Sequence, residues 1–301
     1  MSFTVNIIND KGALRSLFDD FKQLTKVGLS ISVVFSAVAG YLLGAETISI
    51  STVLWLSLGG YLMVGASNAF NQVVERGTDA LMKRTMNRPL PTKRMSTNVA
   101  LIIAFVFTIF GLGILYSIHP KCALFGAISI FLYTSAYTPL KAVSPLSVFV
   151  GAIPGAIPFM LGWVAATGEF GVEAGTLFLI QFFWQFPHFW AIAWLQYDEY
   201  KKAGFNLMPM GKKDKKAVKQ IIFYTVIMIL ASIAPVFGFS GALSLSVFSA
   251  VLILLLGFVM LYYALRLYIK QNDKEARNLM LASVIYISVI QVIYVLDKFI
   301  F

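Results

Sequence analysis

Apolar runs long enough to cross a lipid bilayer recur along the whole chain, and they constrain its fold more than any other feature of the sequence. A helical run of roughly 18 or more apolar residues matches the thickness of the hydrocarbon core. The composition agrees, because 58% of the 301 residues are hydrophobic and 13% are charged, whereas soluble domains carry about 25% charged residues. The sequence therefore predicts an all-α, polytopic transmembrane helical bundle and excludes a water-soluble globular protein.

The apolar runs predict about nine transmembrane helices joined by polar segments. The predicted spans cover residues 27–45, 51–71, 98–118, 122–138, 145–166, 176–196, 218–239, 244–267 and 279–296. We expect residues 1–26 to form a cytoplasmic N-terminal segment and residues 27–301 to form a single transmembrane domain. Spans two and six both run into a loop with acidic residues first and basic residues after them. This weak repeat suggests two four-helix halves followed by a ninth helix.

The basic residues are distributed unequally between the two sides of the predicted membrane. All of the 24 Lys and Arg residues except Lys121 and Lys298 fall on the side of the N-terminus. Because cytoplasmic loops are enriched in Lys and Arg, we expect the N-terminus in the cytoplasm and the C-terminus outside. The formal net charge of +10 then reflects helix orientation, and we expect no nucleic-acid partner.

The end of the second span carries a row of three oxygen-bearing side chains, which we call the acidic row. Asn71, Glu75 and Asp79 are spaced by four residues and therefore share one helical face. Two stacked carboxylates repel each other unless a cation lies between them, and Mg²⁺ prefers such hard oxygen ligands. Taken alone, the acidic pair fits an ordinary solvated helix end better than a magnesium site. The segment that follows shifts the interpretation toward the metal.

A basic, proline-containing segment follows directly, and it includes Lys83, Arg84 and Arg88. Carboxylates for a metal beside cations for phosphate are typical of a diphosphate site. Lys141 is the only basic residue in the short loop after span four, and it is a further candidate phosphate donor. Membrane topology alone also explains basic residues at these positions.

The sixth span contributes a second group of candidate residues. Asp198 and Glu199 follow it at the predicted depth of the first acidic row, where they could hold a second Mg²⁺ or lie in a solvated loop. His188 lies inside the span, and an ionisable residue there is a functional candidate. It could ligate iron, accept a proton, or simply hydrogen-bond to a neighbouring helix.

These segments together resemble the UbiA superfamily of intramembrane prenyltransferases, from about span two to the end of the chain. The first family motif, Asn-Asp-x-x-Asp-x-x-x-Asp, is matched by Asn71, Glu75 and Asp79. Within the superfamily, three further segments resemble the branch that modifies haem. They are residues 82–91 (Met-Lys-Arg-Thr-Met-Asn-Arg-Pro-Leu-Pro), residues 186–190 (Phe-Pro-His-Phe-Trp) and residues 197–200 (Tyr-Asp-Glu-Tyr).

The resemblance implies a UbiA-like bundle in a bacterial inner membrane with a central cavity that opens to the cytoplasmic side and to lipid. It implies Mg²⁺-dependent transfer of a farnesyl group from farnesyl diphosphate to the vinyl group of haem b, which gives haem O. Haem A synthase or terminal oxidase assembly proteins are then expected partners. The implied roles fall on three sets of residues: Mg²⁺ ligands Asn71, Glu75, Asp79, Asp198 and Glu199; diphosphate-binding Lys83, Arg84, Arg88 and Lys141; and haem-binding His188.

Three other functions fit parts of the pattern. A related prenyltransferase that acts on a quinone precursor would share the diphosphate motifs. A transporter would place its polar groups near the bilayer midplane on broken helices, whereas the acids here cluster at one face. A haem-binding assembly protein without catalysis would keep His188 and would not need the two acidic groups.

Overall fold

The computed structural model describes residues 6–301, and the side-chain surroundings from residue 16 onward. The described part is helical and contains no β-strand. Its α-helices are α1 (Asn6–Thr25), α2 (Val27–Gly44), α3 (Ile50–Asp79), α4 (Thr97–Ile118), α5 (Pro120–Phe131), α6 (Thr138–Leu140), α7 (Ser147–Thr167), α8 (Val172–Leu195), α9 (Tyr197–Lys202), α10 (Lys215–Ile233), α11 (Val247–Lys270) and α12 (Asp273–Ile300). A π-helical segment, Leu132–Tyr137, joins α5 to α6, and short 3₁₀ turns occur at Pro209–Gly211 and Ala234–Phe237.

The predicted spans agree closely with the long helices. Among the described residues, eight helices are long and apolar enough to cross a membrane, counting α5, the π-helical segment and α6 as one, so the chain is an integral membrane protein. The ninth predicted span corresponds to α8, whose 24 residues are long enough. Its internal Gln181, Gln185 and His188 lower its hydropathy. That α8 crosses the membrane therefore stays a prediction, as do the orientation of the termini and the division into two halves.

Polar side chains fix where several of the helices begin. An oxygen of the residue before the helix accepts a hydrogen bond from a backbone N–H in the first turn, which satisfies a donor that has no partner inside the helix. This arrangement occurs at Ser49, Ser96, Asp214, Ser246 and Asn272.

The helices pack in a bundle in which neighbours in sequence contact each other and long-range pairs complete the enclosure. The two most extensive long-range pairs are α2 with α7 and α8 with α12, and α2 also contacts α12. The α2–α7 contact depends on small residues: a Cβ added at Gly40 would overlap the carbonyl of Phe159, and one at Gly162 would overlap the carbonyl of Ala37. Backbone contact of this kind is how membrane helices gain packing energy without a hydrophobic driving force between them.

We expect Gly162→Ala to separate α2 from α7 and to destabilise the fold by about 1–3 kcal/mol, because the added methyl group meets backbone that cannot move aside. Thermal unfolding of the purified protein in detergent measures the change. Gly113→Ala in α4 is the matched control, since a Cβ there meets no atom of the described residues within 4 Å. Equal stability of the two variants would contradict the close contact.

Candidate functional site

The end of α3 forms the centre of the site. Asn71, Glu75 and Asp79 lie on one face of the helix, as the spacing predicts, and all three are buried. The amide of Asn71 donates to the hydroxyl oxygen of Thr138 at 3.1 Å. These residues therefore belong to an enclosed site and not to a solvated helix end.

Each buried carboxylate in this row is paired with a basic residue. Glu75 Oε1 lies 2.7 Å from Lys141 Nζ, and both side chains are less than a tenth exposed. Asp79 Oδ2 lies 2.7 Å from Arg88 Nη1. In each of these two pairs, a carboxylate predicted to bind the metal is neutralised by a basic side chain predicted to bind the phosphates. A buried charge that lost its partner would be strongly destabilising.

A π-helical segment delivers Lys141 to this position. Residues Leu132–Tyr137 form a wider turn just before Pro139, which lacks the N–H that would continue the α-helical pattern. The Thr138 hydroxyl donates to the carbonyl of Tyr133 at 2.8 Å. The Lys141 ammonium lies 4.4 Å from the centre of the Tyr137 ring, a cation–π distance. Single-turn π segments occur frequently at functional sites.

The donor set fits a divalent cation. Asp79 Oδ1 is fully buried and has no hydrogen-bond partner among the described residues, which is unusual for a carboxylate oxygen. Together with the oxygens of Asn71 and Glu75 on the same face, it supplies the hard ligands that Mg²⁺ prefers. No group of three or more His, Cys, Asp and Glu side chains converges within the described residues. The amide of Asn71 and substrate oxygens would therefore complete the coordination.

The segment after α3 curls back over the site as a series of turns. Thr85 donates to the carbonyl of Asp79 at 2.8 Å, and Arg88 reaches the carboxylate of the same residue. Lys83 and Arg84 are exposed on the outer side of this segment. Arg94 binds Asp20 of α1, which holds the far end of the segment against the bundle.

Glu199 joins the segment that follows α3 to α9. Its Oε2 accepts a hydrogen bond from the backbone N–H of Lys83 at 2.7 Å, and its Oε1 accepts one from Lys202 at 2.9 Å. The Lys202 ammonium and the Lys83 N–H lower the pKa of this carboxyl. Both oxygens are therefore engaged by other groups, while the neighbouring Asp198 is exposed. Metal binding by either residue stays a prediction.

Lys26 is a residue of the site that sequence reasoning missed. It lies partly buried between α1 and α2 in a left-handed backbone conformation, with φ at 48°. Burial, followed by the nearby cations Arg88 and Lys141, lowers its pKa to about 7. In the sequence, Lys26 was considered only as one of the basic residues that indicate the orientation of the helices. Its position immediately before the first span was the one feature that could have marked it as a candidate.

A cavity of about 360 Å³ lies between the long helices, lined by parts of α2, α3, α5, α7, α8, α12 and the π-helical segment. Its lining includes Asn68, one turn before Asn71, and Tyr137, whose ring lies beside Lys141, so the cavity adjoins the residues next to Asn71, Glu75 and Asp79. Leu29, Phe35 and Val284 line the cavity and are also exposed on the outside of the bundle. The cavity is therefore accessible from the lipid side between α2 and α12.

His188 lines the same cavity. Its Nδ1 lies 2.7 Å from the hydroxyl of Ser283 on α12, and its ring stacks on Trp184 with the ring centres 4.8 Å apart. A hydrogen bond to a neighbouring helix was one of the interpretations that the sequence left open. The position in the cavity keeps the other two open.

Comparison with known proteins shows the family of the chain. Residues 33–289 match the model of the UbiA prenyltransferase family. The chain belongs to this family. It is 60% identical over 298 residues to the protoheme IX farnesyltransferase of Flavobacterium psychrophilum, with 98% of this chain and 99% of that protein covered. The enzyme of the same name from Christiangramia forsetii is 62% identical over 285 residues, and 95% of each chain is covered.

Solved structures of distant relatives have the same fold. A digeranylgeranylglyceryl phosphate synthase structure matches with a TM-score of 0.77 at 18% identity, over 93% of this chain and 98% of the other. A UbiA homologue from Archaeoglobus fulgidus bound to GPP and Mg²⁺ matches with a TM-score of 0.63 at 17% identity, over 91% and 99%. The predicted family and the UbiA-like all-α fold are thus confirmed.

We expect Lys141→Met to destabilise the ligand-free protein by about 3–5 kcal/mol, because it leaves Glu75 charged and buried without its partner. The double variant Glu75→Gln, Lys141→Met should recover most of that loss, since it removes both charges. Thermal unfolding in detergent without Mg²⁺ compares the variants. A Lys141→Met protein as stable as the unaltered chain would show that the buried pair does not form.

Proposed function

We propose that this chain transfers a farnesyl group from farnesyl diphosphate to the vinyl group of haem b and produces haem O. The observation that carries the proposal is the placement of a buried acid–base site beside a largely apolar cavity that is accessible from lipid. The identity of the two substrates is supported by near-full-length relatives at 58–62% identity, which are named protoheme IX farnesyltransferase.

The acidic row holds a magnesium ion and the basic residues hold the diphosphate. Asn71, Glu75 and Asp79 would bind Mg²⁺, with Asp198 and Glu199 approaching from α9. Mg²⁺, when bound, supplies positive charge that stabilises the departing diphosphate. Lys141 and Arg88 are released from the carboxylates and turn to the phosphate oxygens, with Lys83 and Arg84 at the outer side. Fixed cations aimed at a developing anion are a major source of catalysis.

The apolar walls of the cavity protect the allylic cation that forms when the diphosphate leaves. Exclusion of water keeps the farnesyl group from being hydrolysed before the vinyl group of haem b attacks it. One vinyl carbon forms the new carbon–carbon bond, which leaves a positive charge on the other vinyl carbon. Water then adds to that second carbon and loses a proton, so that a hydroxyl group remains there. His188 is the proposed contact to the haem.

The charge distribution supports a site on the cytoplasmic face, and the family resemblance supports a location in a bacterial inner membrane. Lys83, Arg84, Arg88 and Lys141 all belong to the strongly basic side of the bundle. A cytoplasmic site has direct access to soluble Mg²⁺, while both lipophilic substrates enter from the bilayer. Transfer of the product to haem A synthase or to oxidase assembly proteins is part of the proposal.

A direct assay tests the proposed reaction. Membranes that contain the chain are incubated with haem b, farnesyl diphosphate and Mg²⁺, and pigments are analysed by chromatography and mass spectrometry. We expect a haem heavier by a farnesyl group plus a hydroxyl group, absent when EDTA removes the metal. If folded protein binds the diphosphate and yields no modified haem, the proposal is wrong, and a quinone precursor becomes the acceptor to test.

We expect Glu75→Gln and Asp79→Asn each to lower haem O formation by at least about 100-fold, since each removes charge that holds the metal and diphosphate. Production per unit of folded protein is the measurement. Glu169→Gln on the opposite side of the bundle is the control, because that carboxylate is exposed and pairs only loosely with Lys121. Full activity in either site variant would refute the metal assignment.

A further inference from the structure

The hydroxyl group of Ser283 determines which nitrogen of His188 carries the proton. Ser283 Oγ donates its single hydrogen to the carbonyl of Met280 at 2.6 Å. It therefore accepts at its other contact, the one with His188 Nδ1 at 2.7 Å. In the neutral imidazole, Nδ1 then carries the proton and Nε2 keeps its lone pair.

A second contact to the same serine fixes the plane of the imidazole. Trp184 precedes His188 by one helical turn, and its indole N–H donates to the backbone carbonyl of Ser283 at 2.6 Å. The two rings are nearly parallel, with an angle of 17° between their planes. Ser283 itself is completely buried. One residue of α12 thus holds both rings of α8.

The other ring nitrogen of His188, Nε2, belongs to a residue of the cavity lining. His188 lines the cavity and is partly accessible, and Nε2 has no hydrogen-bond partner among the described residues. The cavity lining contains no charged residue and no Cys or Met. A neutral imidazole whose other nitrogen donates to a fixed acceptor is the usual arrangement of a histidine that ligates a metal.

We propose that Nε2 of His188 ligates the iron of the haem substrate, and that Ser283 is the positioning residue that sets the tautomer and orientation required. This inference rests on the proposed function, because it takes haem b as the acceptor. A bond from Nε2 to the iron would hold the macrocycle at one depth in the cavity, whose lining adjoins Asn71 and Lys141 through Asn68 and Tyr137. The distance and orientation between the farnesyl donor and the haem vinyl group would then be the same in every turnover.

The test uses the purified full chain loaded with ferric or ferrous haem b in detergent. We expect an imidazole-ligated optical spectrum and an iron–imidazole stretching band in the resonance Raman spectrum of the ferrous form. His188→Gly should lose both signals, and added imidazole should restore them by entering the space left. Ser283→Ala should keep the ligand, shift the stretching band and weaken haem binding by about tenfold, as loss of an outer hydrogen bond typically does.

Ser232→Ala is the matched control for the serine variant. Ser232 is also completely buried, its hydroxyl also donates to a backbone carbonyl, and its own carbonyl also accepts from an aromatic side chain, that of Tyr294. No histidine is bonded to it in the described structure. We expect its iron–imidazole band and haem affinity to equal those of the unaltered chain.

The outcomes separate this inference from the proposed function. If the unaltered chain makes haem O and His188→Gly keeps the same spectrum, iron ligation by His188 is wrong while the reaction stands. If Ser283→Ala matches Ser232→Ala in band position and affinity, the positioning role is wrong. If the unaltered chain neither binds nor modifies haem b, both the inference and the proposed function fail.

Discussion

The pairing of two buried carboxylates with two basic side chains is the interaction on which the rest of the site depends. Glu75 with Lys141 and Asp79 with Arg88 are held where water is scarce, so neither member of a pair can lose its partner cheaply. The magnesium salt of a diphosphate offers a cation and an anion at the same time. It can therefore replace both partners together, whereas free metal or free diphosphate would leave one charge unpaired.

The sequence was sufficient for the fold and for the residue types of the site. Apolar runs located the long helices, and the four-residue spacing placed Asn71, Glu75 and Asp79 on one face. The sequence did not reveal which basic residue pairs with which carboxylate. The Glu75–Lys141 ion pair depends on a π-helical turn, and the local sequence of that turn predicts an ordinary α-helix. Long-range backbone contacts were equally hidden, such as that between Glu199 and the N–H of Lys83.

Helix α8 differs from the eight helices of the described structure that are apolar enough to cross a membrane. It carries Gln181, Gln185 and His188 in its interior turns, and all three line the central cavity. Gln181 bonds to Gln291 of α12, which in turn bonds to Ser36 of α2. Polar groups of one helix are thus satisfied by polar groups of its neighbours, as they must be away from water. Helix α8 can therefore carry polar residues in its interior turns because α12 and α2 supply hydrogen-bond partners for them.

The most direct test of the account is whether Mg²⁺ and the diphosphate bind as a unit. Calorimetric titration of the purified chain with a non-hydrolysable farnesyl diphosphate analogue, with and without Mg²⁺, measures the coupling. The exchange of paired charges predicts that each ligand strengthens the binding of the other by at least about tenfold, a coupling of about 1.4 kcal/mol or more. Equal affinity for the analogue with and without the metal would contradict the account.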